Sequence, residues 1–337
     1  MGIRRSYGGL DDFRIIAAVL VIAIHTAPFS SWNNDFDFLF TYCLGRIAVP
    51  FFLMTTGFFV LAPYIQSGFQ KRKSLHNYFV KNTQLYLAAT VFYLPLTIYS
   101  HNLPHNVPEF LKDLFFDGTF YHLWYFPAAI IGCLIIILIS ELSVKTAFII
   151  SAVFYTIGLF GDSYYGLIKE VPFLCSLYDG IFGISSYTRN GIFFTPVFLM
   201  LGILTALPEF QCSKKICTIG LTVSFPLLFL EGFLTYQMDL QKHNSMYLSL
   251  LPVMYFLFQL LLTFDGDAPP WLRNGSMLLY LIHPAAIILL RQIAKTANLT
   301  DLLINNTLIH YLCVCTISII IITGFYACKH LKEKITV

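Results

Sequence analysis

The chain of 337 residues is 57% hydrophobic and only 12% charged, with 33 Phe and 20 Tyr. A soluble domain of that length has no core large enough for so much apolar side chain, whereas a lipid solvent removes the difficulty. The net charge of +3 is small and scattered, which argues against nucleic acid as a partner, and the eight Cys form no CxxC, which leaves no zinc or redox spacing.

A membrane span needs about 20 mostly apolar residues. Ten segments meet or approach that length: 12–30, 39–64, 78–100, 121–141, 144–161, 190–208, 216–236, 246–264, 274–294 and 307–328. The fifth is the shortest, and 162–189 is expected to hold a re-entrant piece. The predicted fold class is all-α, a polytopic integral membrane protein with ten transmembrane helices. Residues 1–11 form the N-terminal segment, 12–328 the membrane domain, and 329–337 the start of a linker to a further domain. No small-x-small cleavage site follows the first span, so it is not expected to be a signal peptide.

Basic residues set the orientation. Arg4, Arg5, Lys71, Arg72, Lys73, Lys81, Lys145, Lys214, Lys215, Arg273, Lys329, Lys332 and Lys334 all fall on one side of a ten-span chain. The opposite loops hold fewer: Lys112, Lys169, Arg189, Lys242, Arg291 and Lys295. The chain is therefore expected in the cell membrane with both termini cytoplasmic.

Polar groups inside such spans are costly and usually face the bundle interior. In RIIAAVLVIAIHT, Arg14 and His25 lie eleven residues apart, on one helix face and roughly 16 Å apart along the axis. Ala18 and Val21 lie between them. Snorkelling to the headgroups competes with function for Arg14; His25 is deeper and suits proton transfer or polar binding. In GRIAVPFFLMTTGFF, Arg46 precedes Pro50 at a depth near that of His25, and Thr55, Thr56 and Gly57 permit close helix approach. YHLWYFP places His122 and Trp124 among residues that otherwise suit an interfacial aromatic belt.

Further along, Arg189 and Asn190 in TRNGIFFTP open the sixth span, where helix N–H groups favour an anion. Glu231 in the seventh span calls for a partner, for which Arg189 and Lys242 are candidates. KHNSMY brings His243, and YLIHPAA sets His283 before Pro284, which frees a backbone carbonyl. His25, Arg46, His122, Arg189, Glu231, His243 and His283 are all expected in the outer half, around one polar cavity. No HExxH, GxSxG or Gly-rich phosphate loop occurs, and no metal site is expected.

These elements carry a resemblance. Arg14-x10-His25, RIAVPFFLMTTG, HLWYF, RNGIFFTPVFLMLG and YLIHP stand in the order and spacing of the acyltransferase-3 family, over about residues 9–328. That resemblance implies a ten-helix bundle and acyl transfer to extracytoplasmic acceptors, with His25 the catalytic base and Arg14 its motif partner. Some members carry an Arg-x-x-Arg pair for the acyl donor, and this sequence has none. LDDFRIIAAVLVIAIHTAPF, YHLWYFPA, GDSYYGLI, TRNGIFFTP and KHNSMYLSLLPV further resemble the membrane domain of VanT-type membrane-bound serine racemases of vancomycin-resistance clusters.

The resemblance to that group implies a module that brings L-serine to a covalently linked cytoplasmic racemase domain. Pyridoxal phosphate (PLP) is expected in that domain, and no cofactor in this chain. The expected partners are L-serine or another small polar substrate, the bilayer and the racemase domain, with a homodimer as an open alternative. Arg46 or Arg189 would hold the serine carboxylate. Glu231 or the carbonyl freed by Pro284 would accept its ammonium. His122, Trp124, Asn190, His243 and His283 would complete the site. Two alternatives stand beside this one: O-acyl transfer from acyl-CoA with Arg14 and His25, and a structural anchor.

Overall fold

The computed structural model describes residues 6–266 and 270–335, the side chains of 270, 271, 273, 274 and 327–335 apart. Arg4, Arg5 and the side chains of Arg273, Lys329, Lys332 and Lys334 lie outside the described residues. Every regular element among the described residues is helical, as expected for an all-α chain. The chain divides into two units, Met1–Ala48 with Leu260–Val337, and Val49–Gln259.

In the first unit α1 (Gly8–Thr26) ends where Ala27 turns left-handed, with φ 47°, just before Pro28. α2 (Asn34–Tyr42) is capped by Asn33, whose side chain accepts the Phe36 N–H at 2.8 Å. A 3₁₀ turn, Leu44–Ile47, follows. The long helices α13 (Pro270–Thr296) and α14 (Thr307–Ile335) pack on α1. Ala18, Leu279 and Ile322 form one apolar cluster, and Ile22, Ala286, Ile287, Leu290 and Val314 another. Small residues on α1, with Ala17, Ala18 and Ala23 fully buried, let these helices approach closely.

The second unit begins within α3 (Ala48–Thr56), which runs through a π turn, Gly57–Leu61, into α4 (Ala62–Gln66). It continues with α5 (Arg72–Tyr99), α6 (Val107–Lys112), α7 (Tyr125–Ser140) and α8 (Val144–Phe160). α9 (Pro172–Ile184), α10 (Thr195–Thr205), α11 (Lys214–Gln237) and α12 (Leu250–Leu262) follow. α10 is its core: all eleven residues are buried, against α7, α8 and the π turn. A Cβ on Gly57 would strike the Leu199 carbonyl, and one on Gly202 the Met54 carbonyl. The close approach expected around Thr55–Gly57 is thus a backbone-to-backbone contact.

Among the described residues, four helical stretches are long and apolar enough to cross a membrane: Asn34–Gln66, Lys214–Gln237, Gly275–Thr296 and Thr307–Tyr326. The apolar window of Lys214–Gln237 is only 22% buried within the chain, and that of Thr307–Tyr326 only 28%. Such surfaces call for an apolar solvent, as a membrane protein requires. Each of the ten apolar segments contains a helix, but α7 and α8, with 16 and 17 residues, fall short of the expected length, and α10 and α12, with 11 and 13, fall further short. The segments of α10 and α12 open instead with turns, at 190–194 and 246–249. The segment 162–189 does hold an additional helix, α9.

Candidate functional site

The polar residues expected around one cavity divide between the two units, each with its own cluster. In the first unit α1 and α13 bring His25 and His283 together, with ring centroids 5.2 Å apart and planes 24° apart. His283 is fully buried. Pro284 has no N–H, so the carbonyl of Tyr280, four residues before it, loses its helical donor. His283 fills that gap: its Nδ1 lies 2.8 Å from the Tyr280 carbonyl and 3.2 Å from that of Leu279. Carbonyl oxygens only accept, so Nδ1 carries the proton and the neutral ring keeps its lone pair on Nε2. The carbonyl freed by Pro284 is therefore already engaged by a side chain of its own helix. It fixes the tautomer of the ring that stacks on His25.

Arg14 and His25 share one uninterrupted helix, as their spacing predicts. Ala18 and Val21 between them are buried. Arg14 Nε pairs with Asp11 Oδ1 at 3.3 Å, one turn earlier. Arg46 lies in the 3₁₀ turn, nine-tenths buried, with its guanidinium 5.1 Å from the Tyr42 ring centroid. Its neighbour Gly45 packs on Ile24, so this turn sits at the level of His25 on α1.

In the second unit the polar residues lie mostly in loops between helices. The guanidinium of Arg189 is 5.1 Å from the Trp124 ring and 4.4 Å from the Tyr187 ring. Tyr187 in turn contacts His243, with centroids 4.5 Å apart. Trp124, Arg189, Tyr187 and His243 thus form one run of cation–π and ring contacts. Gly118, with φ +86°, makes it possible: a Cβ there would strike the backbone of Trp124. His243 Nε2 lies 3.2 Å from the Ser186 carbonyl. Burial lowers the His243 pKa; Asp162 and the Ser186 contact oppose that, and the charges of Arg189 and Lys242 reinforce it.

Asn190 holds this arrangement together. Its Oδ1 accepts the N–H groups of Ile192 at 2.9 Å and Phe193 at 3.1 Å, while Nδ2 donates to the Tyr187 carbonyl at 2.9 Å and Ser185 Oγ at 3.3 Å. α10 starts only at Thr195. The expected anion site at a helix N-terminus is therefore corrected: the N–H groups that follow Arg189 are already taken by Asn190. Asp117 anchors the same loop from the far side, accepting the Ser186 N–H at 2.9 Å and Ser185 Oγ at 3.2 Å.

Glu231 is also corrected in its partners. Its oxygens accept the Tyr164 hydroxyl at 2.7 Å and the N–H groups of Leu248 at 2.6 Å and Ser249 at 2.7 Å. The carboxylate caps the turn that opens α12 and pairs with neither Arg189 nor Lys242. Lys242 instead lies over Phe182 at 3.8 Å and Tyr165 at 4.7 Å. His122 is fully buried in an aromatic cage, 5.0 Å from Tyr93, 5.7 Å from Phe120 and 5.5 Å from Tyr121. Tyr187, Asp162, Asp117 and Tyr164 escape a search for charges in spans, because they lie outside the predicted spans. His310 on α14 is buried, with Nδ1 2.7 Å from the Leu303 carbonyl; the same search should have caught it. No group of His, Cys, Asp and Glu among the described residues suits a metal ion.

Comparison with known proteins matches two kinds of relative. An "Amino-acid racemase" of Enterococcus faecalis is 40% identical over 321 residues, which is 94% of this chain and 44% of that protein. A "Serine/alanine racemase" of Enterococcus gallinarum is 37% identical over 97% of this chain and 46% of its own length. A further "Amino-acid racemase" of Enterococcus faecalis is 37% identical over 93% of this chain and 45% of its own. The chain thus spans a little under half the length of these relatives. No solved structure gives a significant match. The acyltransferase-3 model, described as "Acyltransferase domain", matches residues 7–327, nearly the whole chain. A membrane-type all-α chain with Arg14 and His25 on its first helix, it belongs to the acyltransferase-3 family.

Proposed function

We propose that this chain is the membrane module of a VanT-type serine racemase. It binds L-serine and imports it for a cytoplasmic, PLP-dependent racemase domain that supplies D-serine for vancomycin-resistant peptidoglycan precursors. One observation carries the reading: nearly all of this chain aligns with relatives named racemases, yet with less than half of each. In this reading the ten apolar segments each span the bilayer, both termini are cytoplasmic, and the PLP-binding residues lie outside this chain.

The loop cluster of the second unit supplies the binding chemistry. The rings of Trp124 and Tyr187 hold the Arg189 guanidinium, which recognises a carboxylate through its N–H edge. His25 and His283, stacked in the first unit, form a proton-handling or hydrogen-bonding pair on the translocation route. The test is radiolabelled L-serine uptake into proteoliposomes. Saturable uptake is expected, and its loss in His25→Ala and in Arg189→Ala. Absence of uptake by folded, correctly oriented protein sinks the reading.

A second reading is O-acyl transfer from acyl-CoA to an extracytoplasmic acceptor, and the fixed tautomer of His283 beside His25 favours it. His25 as general base would contribute about 10²–10⁴ in rate. Arg14, roughly 16 Å away along α1, would meet the donor's phosphates. Stabilisation of the purified chain by acyl-CoA, lost in Arg14→Ala, would select it. A bare structural anchor would show neither uptake nor stabilisation.

A further inference from the structure

Asp162, in the turn after α8, is fully buried. Its two oxygens differ. Oδ1 accepts the N–H groups of Ser245 at 2.6 Å and Met246 at 2.9 Å, and the Ser163 hydroxyl at 3.0 Å. Oδ2 is enclosed by protein and meets no hydrogen-bond donor among the described residues. The local fold accounts for Oδ1 and leaves Oδ2 unexplained. An asparagine would take the same three donors through its carbonyl oxygen and bring no charge into the interior. Leaving a buried carboxyl oxygen without a donor is costly, so Oδ2 calls for a donor that the described residues do not provide.

The surroundings narrow what that donor is. The backbone N–H groups of Lys242 and His243 close on the Asp162 carbonyl at 3.1 and 3.5 Å. The His243 ring feels the charges of Asp162, Arg189 and Lys242 together. Lys242 has turned its ammonium onto Phe182 and Tyr165. Arg189 has its guanidinium between Trp124 and Tyr187, and Tyr187 touches His243. One loop cluster therefore holds a buried carboxyl and a ring-stacked guanidinium, the first joined to His243 through the Asp162 backbone carbonyl and the second through Tyr187. A free α-amino acid carries an ammonium and a carboxylate on one carbon, and complements that pair.

We propose that Asp162 Oδ2 accepts the α-ammonium group of an amino acid whose carboxylate engages Arg189. The ligand class is then zwitterionic α-amino acids, with α-hydroxy acids rejected. This rests on the reading of the chain as an amino-acid-binding module. The segment packed on Asp162 is the non-helical stretch between α11 and α12, so ligand entry asks that loop to move and leaves the helices in place.

The experiment is calorimetric binding of L-serine and of glycerate, in which a hydroxyl replaces the ammonium, to the full chain in nanodiscs. L-serine is expected to bind at least about tenfold more tightly than glycerate. Asp162→Asn keeps an acceptor for the Oδ1 donors and removes the charge. It is expected to weaken L-serine by about 10–100-fold, to the level of glycerate, and to leave glycerate unchanged. Arg189→Gln is expected to weaken both ligands alike. Equal affinity of the unaltered chain for L-serine and glycerate overturns the proposal and needs no variant to fold. So does an Asp162→Asn chain that binds L-serine as before. If L-serine does not bind the unaltered chain, glycine, L-alanine and L-aspartate decide. Binding of one of them keeps Asp162 in this role and overturns only the serine reading; binding of none overturns both.

Discussion

His25 and His283 project from α1 and α13, and helix geometry aims both rings: one by its place on a packed face, the other by the carbonyl that Pro284 leaves without a donor. Trp124, Tyr187, Arg189 and His243 lie at or between helix ends, and their loops are held by side-chain hydrogen bonds, chiefly those of Asn190, Asp117 and Asp162. The first unit thus places its chemistry on helices packed side by side. The second places it in loops that a hydrogen-bond network must hold. On the function proposed above, this contrast is a division of labour, with ligand recognition in the loops and proton handling or translocation on the helices.

The sharpest way to break that division is to measure binding and uptake separately in two variants. Arg189→Ala is expected to lower L-serine affinity by about 10–100-fold, the range for losing a charge-assisted contact. His25→Ala is expected to abolish uptake while calorimetric affinity stays within about threefold. Loss of binding in both variants would merge the two clusters into one site.

Pro284→Ala comes next. It restores a helical donor to the Tyr280 carbonyl, and removing an interior proline is worth up to about 3 kcal/mol of helix stability. The melting temperature is expected to rise while uptake falls, because His283 loses its sole claim on that carbonyl. Nitrogen NMR of the imidazole would show the tautomers mixing. A rise in stability with unchanged uptake would show that the tautomer does not matter.

Glu231→Gln tests the loop network. Its loss should destabilise the chain by about 1–3 kcal/mol, since two backbone N–H groups and a hydroxyl share that carboxylate. Serine affinity should not change. A selective loss of affinity would return Glu231 to the binding site.

The smallest effect is expected at His243. Its folded-state pKa lies below the ordinary value, chiefly through burial. Its neutral form therefore stabilises the fold fully above pH 6.5, and that contribution is lost as pH falls toward the folded-state value. Between pH 7 and pH 5 the unaltered chain should lose about 2 °C more in melting temperature than His243→Gln. Parallel curves would place His243 in solvent.

What the sequence makes legible follows the same line. Arg14 and His25 on one face, Ala18 and Val21 buried between them, and a tight approach at Gly57 all follow from helical periodicity and residue size. His25 against His283 needs the packing of α1 on α13, which spacing cannot supply. Asn190 looked like part of an anion site because its neighbours suggested a helix start. Only the five-residue turn before α10 reveals that its amide is structural. Glu231 looked like a charge wanting a cation, whereas backbone N–H groups met the need, and no residue letter reports those. Asp162, in GDSYYGLI, shows its role only through the turn it occupies and the N–H groups of Ser245 and Met246 that close on it.

The crossing of Gly57 and Gly202 bears on how such a chain can cycle. With backbone against backbone there, no side chain stands between the two segments to change rotamer and absorb a slide. The π turn and α10 must travel as a single lever. On the transport reading, any alternation between outward and inward exposure within this unit then has its hinges in the loops at either end of α10, among them the turn that Asn190 ties to Tyr187.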